Sequence, residues 1–157
     1  MRRAFALLLL SVFVIAACSD DANDTEPVAG VSFPYATVLL DNGEESTLVT
    51  VEVAETQRQQ AEGLAGRSTL ADDEGMVFVY FAERDDAIRV DGVQIPLSIA
   101  FFDSSGTIVE LLDTEACTDD PCPAYELGGP YMGVLQVNRG MFDEWGISEG
   151  DHLQLTR

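Results

Sequence analysis

Beyond residue 30 the apolar positions recur mostly every second residue, the period of a strand that buries one face. Thr37–Leu40 and Thr47–Val53 are rich in β-branched and aliphatic residues. They flank Asp41-Asn42-Gly43, whose Asn-Gly pair suits the positive φ angles of a tight hairpin turn. Met76–Phe81, Leu97–Asp103, Thr107–Leu112 and Met132–Val137 read as four further strands, the middle two joined by Ser104-Ser105-Gly106, and His152–Leu155 as a short last one. Two helices interrupt the series. One starts from Thr56 as N-cap and runs through Gln57-Arg58-Gln59-Gln60-Ala61-Glu62-Gly63-Leu64. The other lies around Met141-Phe142-Asp143-Glu144-Trp145, is closed by Gly146, and packs Phe142 and Trp145 on the sheet. No strand–helix–strand alternation is visible. The pattern therefore predicts a mostly β (α+β) single small domain, a mixed or antiparallel sheet curled toward a partly open barrel of about seven strands with two short helices, and not a doubly wound fold.

The first thirty residues do not follow this period. Arg2 and Arg3 precede an apolar run from Ala4 to Ala17 that is too short to span a bilayer comfortably, so residues 1–17 are expected to be a cleaved signal peptide. Ile15-Ala16-Ala17-Cys18 resembles a bacterial lipobox, whose cysteine is acylated and becomes the first mature residue. On that resemblance Cys18 carries a lipid anchor and the protein is extracytoplasmic, held on a membrane of the bacterial envelope. An ordinary secretory signal or a short buried helix are the alternatives. Ser19–Gly30 has almost no apolar surface and four acids, so residues 18–30 are expected to be a lipidated cysteine followed by a disordered tether. Residues 31–157 are long enough for one globular domain, without internal repeat or second linker.

Charge narrows the partners. The chain carries 28 acidic and eight basic residues for a formal charge of −20, and a chain starting at Cys18 loses two arginines and reaches −22. Every basic residue is arginine. Such a surface repels nucleic acid, which is excluded as a partner, and it repels anionic headgroups, so membrane association should rest on the acyl chains. The same self-repulsion favours a monomer.

The order Gly63-Leu64-x-x-Arg67, Leu70, Glu74-Gly75-Met76-Val77-Phe78 and Ile95-Pro96-Leu97-x-Ile99-Ala100-Phe101 is distinctive, and it continues through four more fragments. These are Val109-Glu110, Glu115-Ala116-Cys117-Thr118-x-Asp120-Pro121-Cys122-Pro123-x-Tyr125, Val137-Asn138-x-Gly140 and Gly146-Ile147-x-x-Gly150-Asp151. Together they resemble the domain of unknown function 192 family over nearly all of residues 48–155. The resemblance implies a small, mostly β domain, often exported in bacteria, and no particular chemistry. One stretch departs from it. Family members usually carry an aromatic-Trp-Met-x-Asn-Thr segment before Ile-Pro-Leu-Asp, whereas this chain reads Ile88-Arg89-Val90-Asp91-Gly92-Val93-Gln94 and then Ile95-Pro96-Leu97-Ser98. The family's Asn, Thr and Asp are thus replaced by Gly92, Val93 and Ser98, so no role transfers onto those positions. Arg89 and Asp91 read as a solvated pair.

Cys117 and Cys122 enclose Thr118-Asp119-Asp120-Pro121, and in an exported protein two near cysteines beside a turn-forming Asp-Pro read as a structural disulfide. The bridge would shape the long connection over residues 114–130. Redox chemistry is the alternative, but the spacing is not that of a thioredoxin-like motif. Asp113, Glu115, Asp119 and Asp120 crowd the same loop without the ligand order of a calcium loop, and the single histidine, His152, has no second nitrogen ligand nearby, so no metal site and no cofactor are expected. Nucleophilic catalysis finds no glycine-flanked serine, and among 28 acids spacing selects no catalytic pair. Enzyme activity is unsupported by the sequence, though not excluded.

The candidate binding residues are Arg67 and Arg139, which could clamp a carboxylate or phosphate, with Glu115, Asp120, Tyr125 and Asn138 from the same motifs. For each arginine an internal ion pair is the competing role. The sequence favours an envelope-anchored lipoprotein whose non-catalytic domain binds a small ligand or an envelope protein through the Cys117–Cys122 loop and the adjacent sheet. A carboxylate-dependent hydrolase or transferase of the envelope and a purely structural envelope protein are the alternatives.

Overall fold

Seven strands form one mixed sheet in the order β6-β5-β8-β3-β2-β1-β9, curled into a half-barrel. They are β1 (Tyr35–Asp41), β2 (Ser46–Ala54), β3 (Glu74–Arg84), β5 (Leu97–Phe102), β6 (Ile108–Thr114), β8 (Tyr131–Asn138) and β9 (His152–Thr156). Helix α1 (Gln57–Glu62) follows β2 and α2 (Met141–Glu144) follows β8, while β4 (Ile88–Arg89) and β7 (Ala124–Tyr125) pair separately. The computed structural model describes residues 30–157. The expected signal peptide, the lipid-bearing Cys18 and the expected tether before Gly30 lie outside the described residues.

Every strand predicted from the period-two pattern is present, most of them longer by one to three residues. The β1–β2 hairpin forms, but its turn spans Asn42–Glu45 and only Gly43 takes a positive φ. Asn42 acts instead through its side chain, whose Oδ1 accepts the Glu44 and Glu45 N–H groups at 2.9 and 2.8 Å. Thr56 caps α1 as expected, in a reciprocal arrangement with Gln59. One expectation is corrected. β2 and β3 are parallel neighbours joined through α1, so a single strand–helix–strand crossover exists. It left no periodic signal because none of the six residues of α1 is buried.

The two ends of the sheet meet at one rim. Thr107 bridges His152, and the Ile108, Gly150 and Leu153 N–H groups bond the Asp151, Ile108 and Gly106 carbonyls at 2.9, 2.8 and 2.7 Å. Inside the curl, Val38, Leu40, Val49, Val51, Val53, Val77, Ala100, Leu135 and Leu153 form an inner core, with Met141 and Phe142 of α2 plugging it. Trp145 packs edge-to-face on Phe142 at 6.1 Å.

A second core lies on the outer face of the central strands, where Met76, Phe78, Ile99, Phe101 and Val134 are buried. This is why β5 is buried at all six positions and shows no alternation. The outer face is covered by chain outside the seven-stranded sheet: Leu64 after α1, Val90, Val93 and Ile95 of the segment after β3, and the half-buried Tyr125 and Leu127 of the long 115–130 connection. Residues Val31–Arg157 make one unit with these two cores.

Candidate functional site

Of the described residues only three polar ones are buried: Ser98, Thr114 and Gln136. Two are satisfied within the protein. Ser98 donates to Asp113 at 2.5 Å and accepts the Gly140 N–H at 2.8 Å, and the Thr114 hydroxyl lies 3.5 Å from the Leu97 carbonyl. Gln136 differs. It sits in the middle of β8, cross-strand from Met76 and Ile99 of the outer core, between inward-facing Leu135 and Val137. Its side chain is 94% buried, and its amide makes no hydrogen bond to another described residue.

That amide faces a cavity of about 390 Å³ on the outer face of the sheet. One wall is α1 and the turn after it, Gln60 to Ala65. The other is Arg84 to Val93, and Phe78, Tyr131, Val134 and Gln136 form the floor. The walls are tied by the Gly66 N–H to the Gly92 carbonyl at 2.9 Å, and α1 is tied to the sheet by Gln60 Nε2 to the Val79 carbonyl at 2.9 Å.

Tyr80 and Arg84 reach the cavity because β3 leaves its ladder. Val79 pairs with Gly133 and Arg84 with Tyr131, so residues 80–83 bulge against Met132 alone. The bulge exposes Phe81 at 93% and turns Tyr80 over the cavity, edge-to-face with Tyr131 at 5.8 Å. The Arg84 guanidinium lies 4.6 Å from the Tyr80 ring centroid and pairs with Asp86 at 2.5 Å. The Tyr131 hydroxyl donates to the Asp86 carbonyl at 3.1 Å and fixes the rim to the sheet. Burial, reinforced by Tyr131, pushes the Tyr80 phenol up to about 12. Burial likewise raises the Tyr131 phenol, while the hydrogen bond from Arg84 holds the Asp86 carboxyl below the usual carboxylate range.

The residues proposed from the sequence lie elsewhere, and none of them lines this cavity. Arg67 pairs with Glu52 and lies 5.9 Å from the Phe33 ring centroid. Arg139 holds Asp113 at 3.4 Å and Glu115 at 2.5 Å on an exposed surface, where the hydrogen bond it donates to Glu115 raises its pKa. Asn138 donates to the Leu70 carbonyl at 2.8 Å and to Asp72 at 3.2 Å. Asp120 is exposed in the disulfide loop, where the Asp120–Pro121 peptide is cis. Arg89 and Asp91 form the exposed pair expected of them, at 3.2 Å, on the cavity rim.

The disulfide between Cys117 and Cys122 is formed, with Cα atoms 5.9 Å apart. Its loop supports the cavity from behind. Cys117 bridges Val93, donating its N–H to the Val93 carbonyl at 2.9 Å, and β7 pairs Tyr125 with Ile88 and Ala124 with Arg89 of β4. The segment that departs from the family pattern is therefore the cavity wall. Gly92 sits there at φ +72, a conformation that Asn tolerates best among the other residues, so the backbone course survives that departure. Val93, in contrast, presents an apolar side chain where the pattern has a hydroxyl. Sequence reasoning missed Gln136, whose one signal was an amide inside the otherwise apolar Gly133–Val137.

Comparison with known proteins adds kinship. No functionally curated protein matches the chain. It is similar to the crystal structure of a candidate transcription regulator from Sinorhizobium meliloti, at 28% identity and a TM-score of 0.73, over 80% of this chain and 97% of that one. It is also similar to a protein of unknown function from Novosphingobium aromaticivorans, at 27% identity and a TM-score of 0.71, over 82% of this chain and 89% of the other. Residues 38–155 match the model of the domain of unknown function 192 family, described as an uncharacterized ACR, in the region where the sequence motifs run. The chain belongs to the domain of unknown function 192 family.

Proposed function

We propose that this protein is a non-catalytic binding lipoprotein of the bacterial envelope, held to a membrane by acylated Cys18, whose domain takes up a small ligand in the cavity between α1 and residues 84–93. The observation that carries the binding half is the Gln136 amide, which makes no hydrogen bond to a described residue and opens on a cavity of about 390 Å³. No buried side-chain nitrogen or oxygen among the described residues lacks a partner, so this amide is completed from the cavity side, by water or by a ligand that displaces it. The lining joins an apolar and aromatic floor, Phe78, Tyr131 and Val134, to a charged rim of Glu62, Arg84, Asp86, Arg89 and Asp91, with Gln136 as the polar group on the floor. Export is supported by the N-terminal pattern around Cys18 and by the Cys117–Cys122 bridge, since disulfides persist in oxidising compartments.

The role of the disulfide loop in this reading is to brace the wall at Val93 and Ile88, not to contact the ligand. The test is intact mass spectrometry of the protein taken from its native envelope, comparing the natural chain with Ala65→Trp, which fills the cavity from its exposed rim. An acylated chain starting at Cys18 and a small molecule that co-purifies with the natural chain but not with the variant are expected. Equal retention by the variant would place the ligand elsewhere and sink the cavity reading, and an unprocessed N-terminus would sink the anchor.

A further inference from the structure

The cavity also specifies the chemistry of what it takes; this step rests on the binding site proposed above. The Gln136 side chain carries an N–H donor and a carbonyl acceptor on one flat group, and neither is used within the protein. Around it the floor and inner walls are Leu64, Phe78, Val93, Tyr131 and Val134. The Tyr131 hydroxyl is taken by the Asp86 carbonyl. A charged group brought to this depth would lose its hydration and meet no counter-charge. The two arginines that line the cavity, Arg84 and Arg89, stand at the rim and already hold Asp86 and Asp91. The domain as a whole is strongly acidic, which further disfavours anions.

We infer that the cavity binds a neutral, flat molecule through a carboxamide or lactam edge, whose adjacent carbonyl and N–H pair with both ends of the Gln136 amide while its body lies against Phe78, Tyr80 and Tyr131. A lone hydroxyl or carbonyl satisfies only one end of that amide. A carboxylate satisfies only the donor and leaves the Gln136 carbonyl facing a negative charge. Family members with a Thr at the wall position of Val93 would offer a further hydroxyl there, so the apolar wall of this chain concentrates recognition on Gln136.

The probes are benzamide and 2-pyridone as neutral amide edges and benzoate as the anion of the same size. Binding is measured on the full chain in lipid nanodiscs by the shift of the backbone amide resonances of the cavity lining, Leu64, Val93 and Val134 among them, under uniform nitrogen labelling, a readout that survives substitution of Gln136. Benzamide and 2-pyridone are expected to bind about tenfold or more tightly than benzoate, the worth of the one neutral hydrogen bond that benzoate forgoes. Gln136→Met should cost both amide probes about tenfold in affinity; if it does not fold, Gln136→Leu, which likewise carries neither donor nor acceptor, serves the same comparison. Which of the two amide probes binds better separates a primary carboxamide from a ring lactam as the natural edge. Equal binding of benzamide and benzoate, both abolished by Ala65→Trp and neither altered by Gln136→Met, would overturn the amide inference and leave the cavity standing. Failure of every probe to move any cavity-lining resonance would overturn both.

Discussion

Closure of the curled sheet depends on the absence of a side chain at residue 106. Gly106 holds φ +87, and an added Cβ would stand 2.2 Å from the Leu153 carbonyl oxygen, a backbone atom of β9. The Leu153 N–H donates to the Gly106 carbonyl at 2.7 Å in the same contact. In Gly106→Ala the left-handed conformation costs about 1–2 kcal/mol. The collision forces β9 away by more than an ångström and removes the Leu153 bond, a further loss of about 1–3 kcal/mol for a donor left unpaired. The stiffer unfolded chain returns about 0.5 kcal/mol, for a net destabilisation of about 3 kcal/mol. Gly150 is the internal control, because its φ is +94 yet nothing lies within 4 Å of an added Cβ. Gly150→Ala should cost about 1 kcal/mol, all of it conformational. Chemical denaturation of the two variants with unchanged m-values therefore should separate them by about 2 kcal/mol, and thermal midpoints by about 8 °C. Native-state hydrogen exchange should show the Leu153 amide unprotected in Gly106→Ala alone. Equal stabilities would show that β9 yields freely, and the account of barrel closure would be wrong.

Replacing both Cys117 and Cys122 by Ser should lower stability by about 2 kcal/mol, the chain-entropy value for so short a loop, and should broaden the resonances of residues 88–93 before those of the central strands; denaturation and backbone NMR check the two parts. Gly75→Ala should destabilise without any strain in φ, because the new Cβ would approach the Gln136 carbonyl at 2.7 Å and spread β3 from β8; a chain as stable as the natural one would contradict that contact. Tyr80 and Tyr131 have folded-state pKa values above their unfolded ones, so their contribution is complete below pH about 10 and is lost as pH rises through the folded values, about 12 for Tyr80. At pH about 11 the folded protein should therefore show less phenolate absorbance than the denatured protein at the same pH, and identical spectra would refute the burial of these phenols. Asp86 has the opposite sign: its pair with Arg84 contributes above the ordinary carboxylate pKa of about 3.9 and is lost as pH falls through the depressed folded value. Stability against pH should be flatter in that acid window for Asp86→Asn, and parallel curves would remove Asp86 from the rim.

Local chemistry in the sequence determined the strands, the capped start of α1 and the bridge between Cys117 and Cys122, because alternation, a Thr-x-x-Gln capping box and two cysteines five apart act over a few residues. It also determined the charge and the family. The pairing of those elements belongs to the tertiary structure. The parallel contact of β2 with β3 and the meeting of Gly106 with Leu153 join residues distant in sequence that carry no mutual local signal. The same holds for the candidate site. Arg67, Arg139 and Asn138 are eye-catching polar residues in motifs, yet their charges and amides are taken by Glu52, Asp113, Glu115, Leu70 and Asp72, partners brought near only by folding. Gln136 reads in the sequence as one polar residue in an apolar strand. Only the bulge of β3 and the covering segments 60–65 and 84–93 turn it into an amide without a protein partner at the floor of a cavity, because the cavity and the want of a partner are properties of the assembled chain.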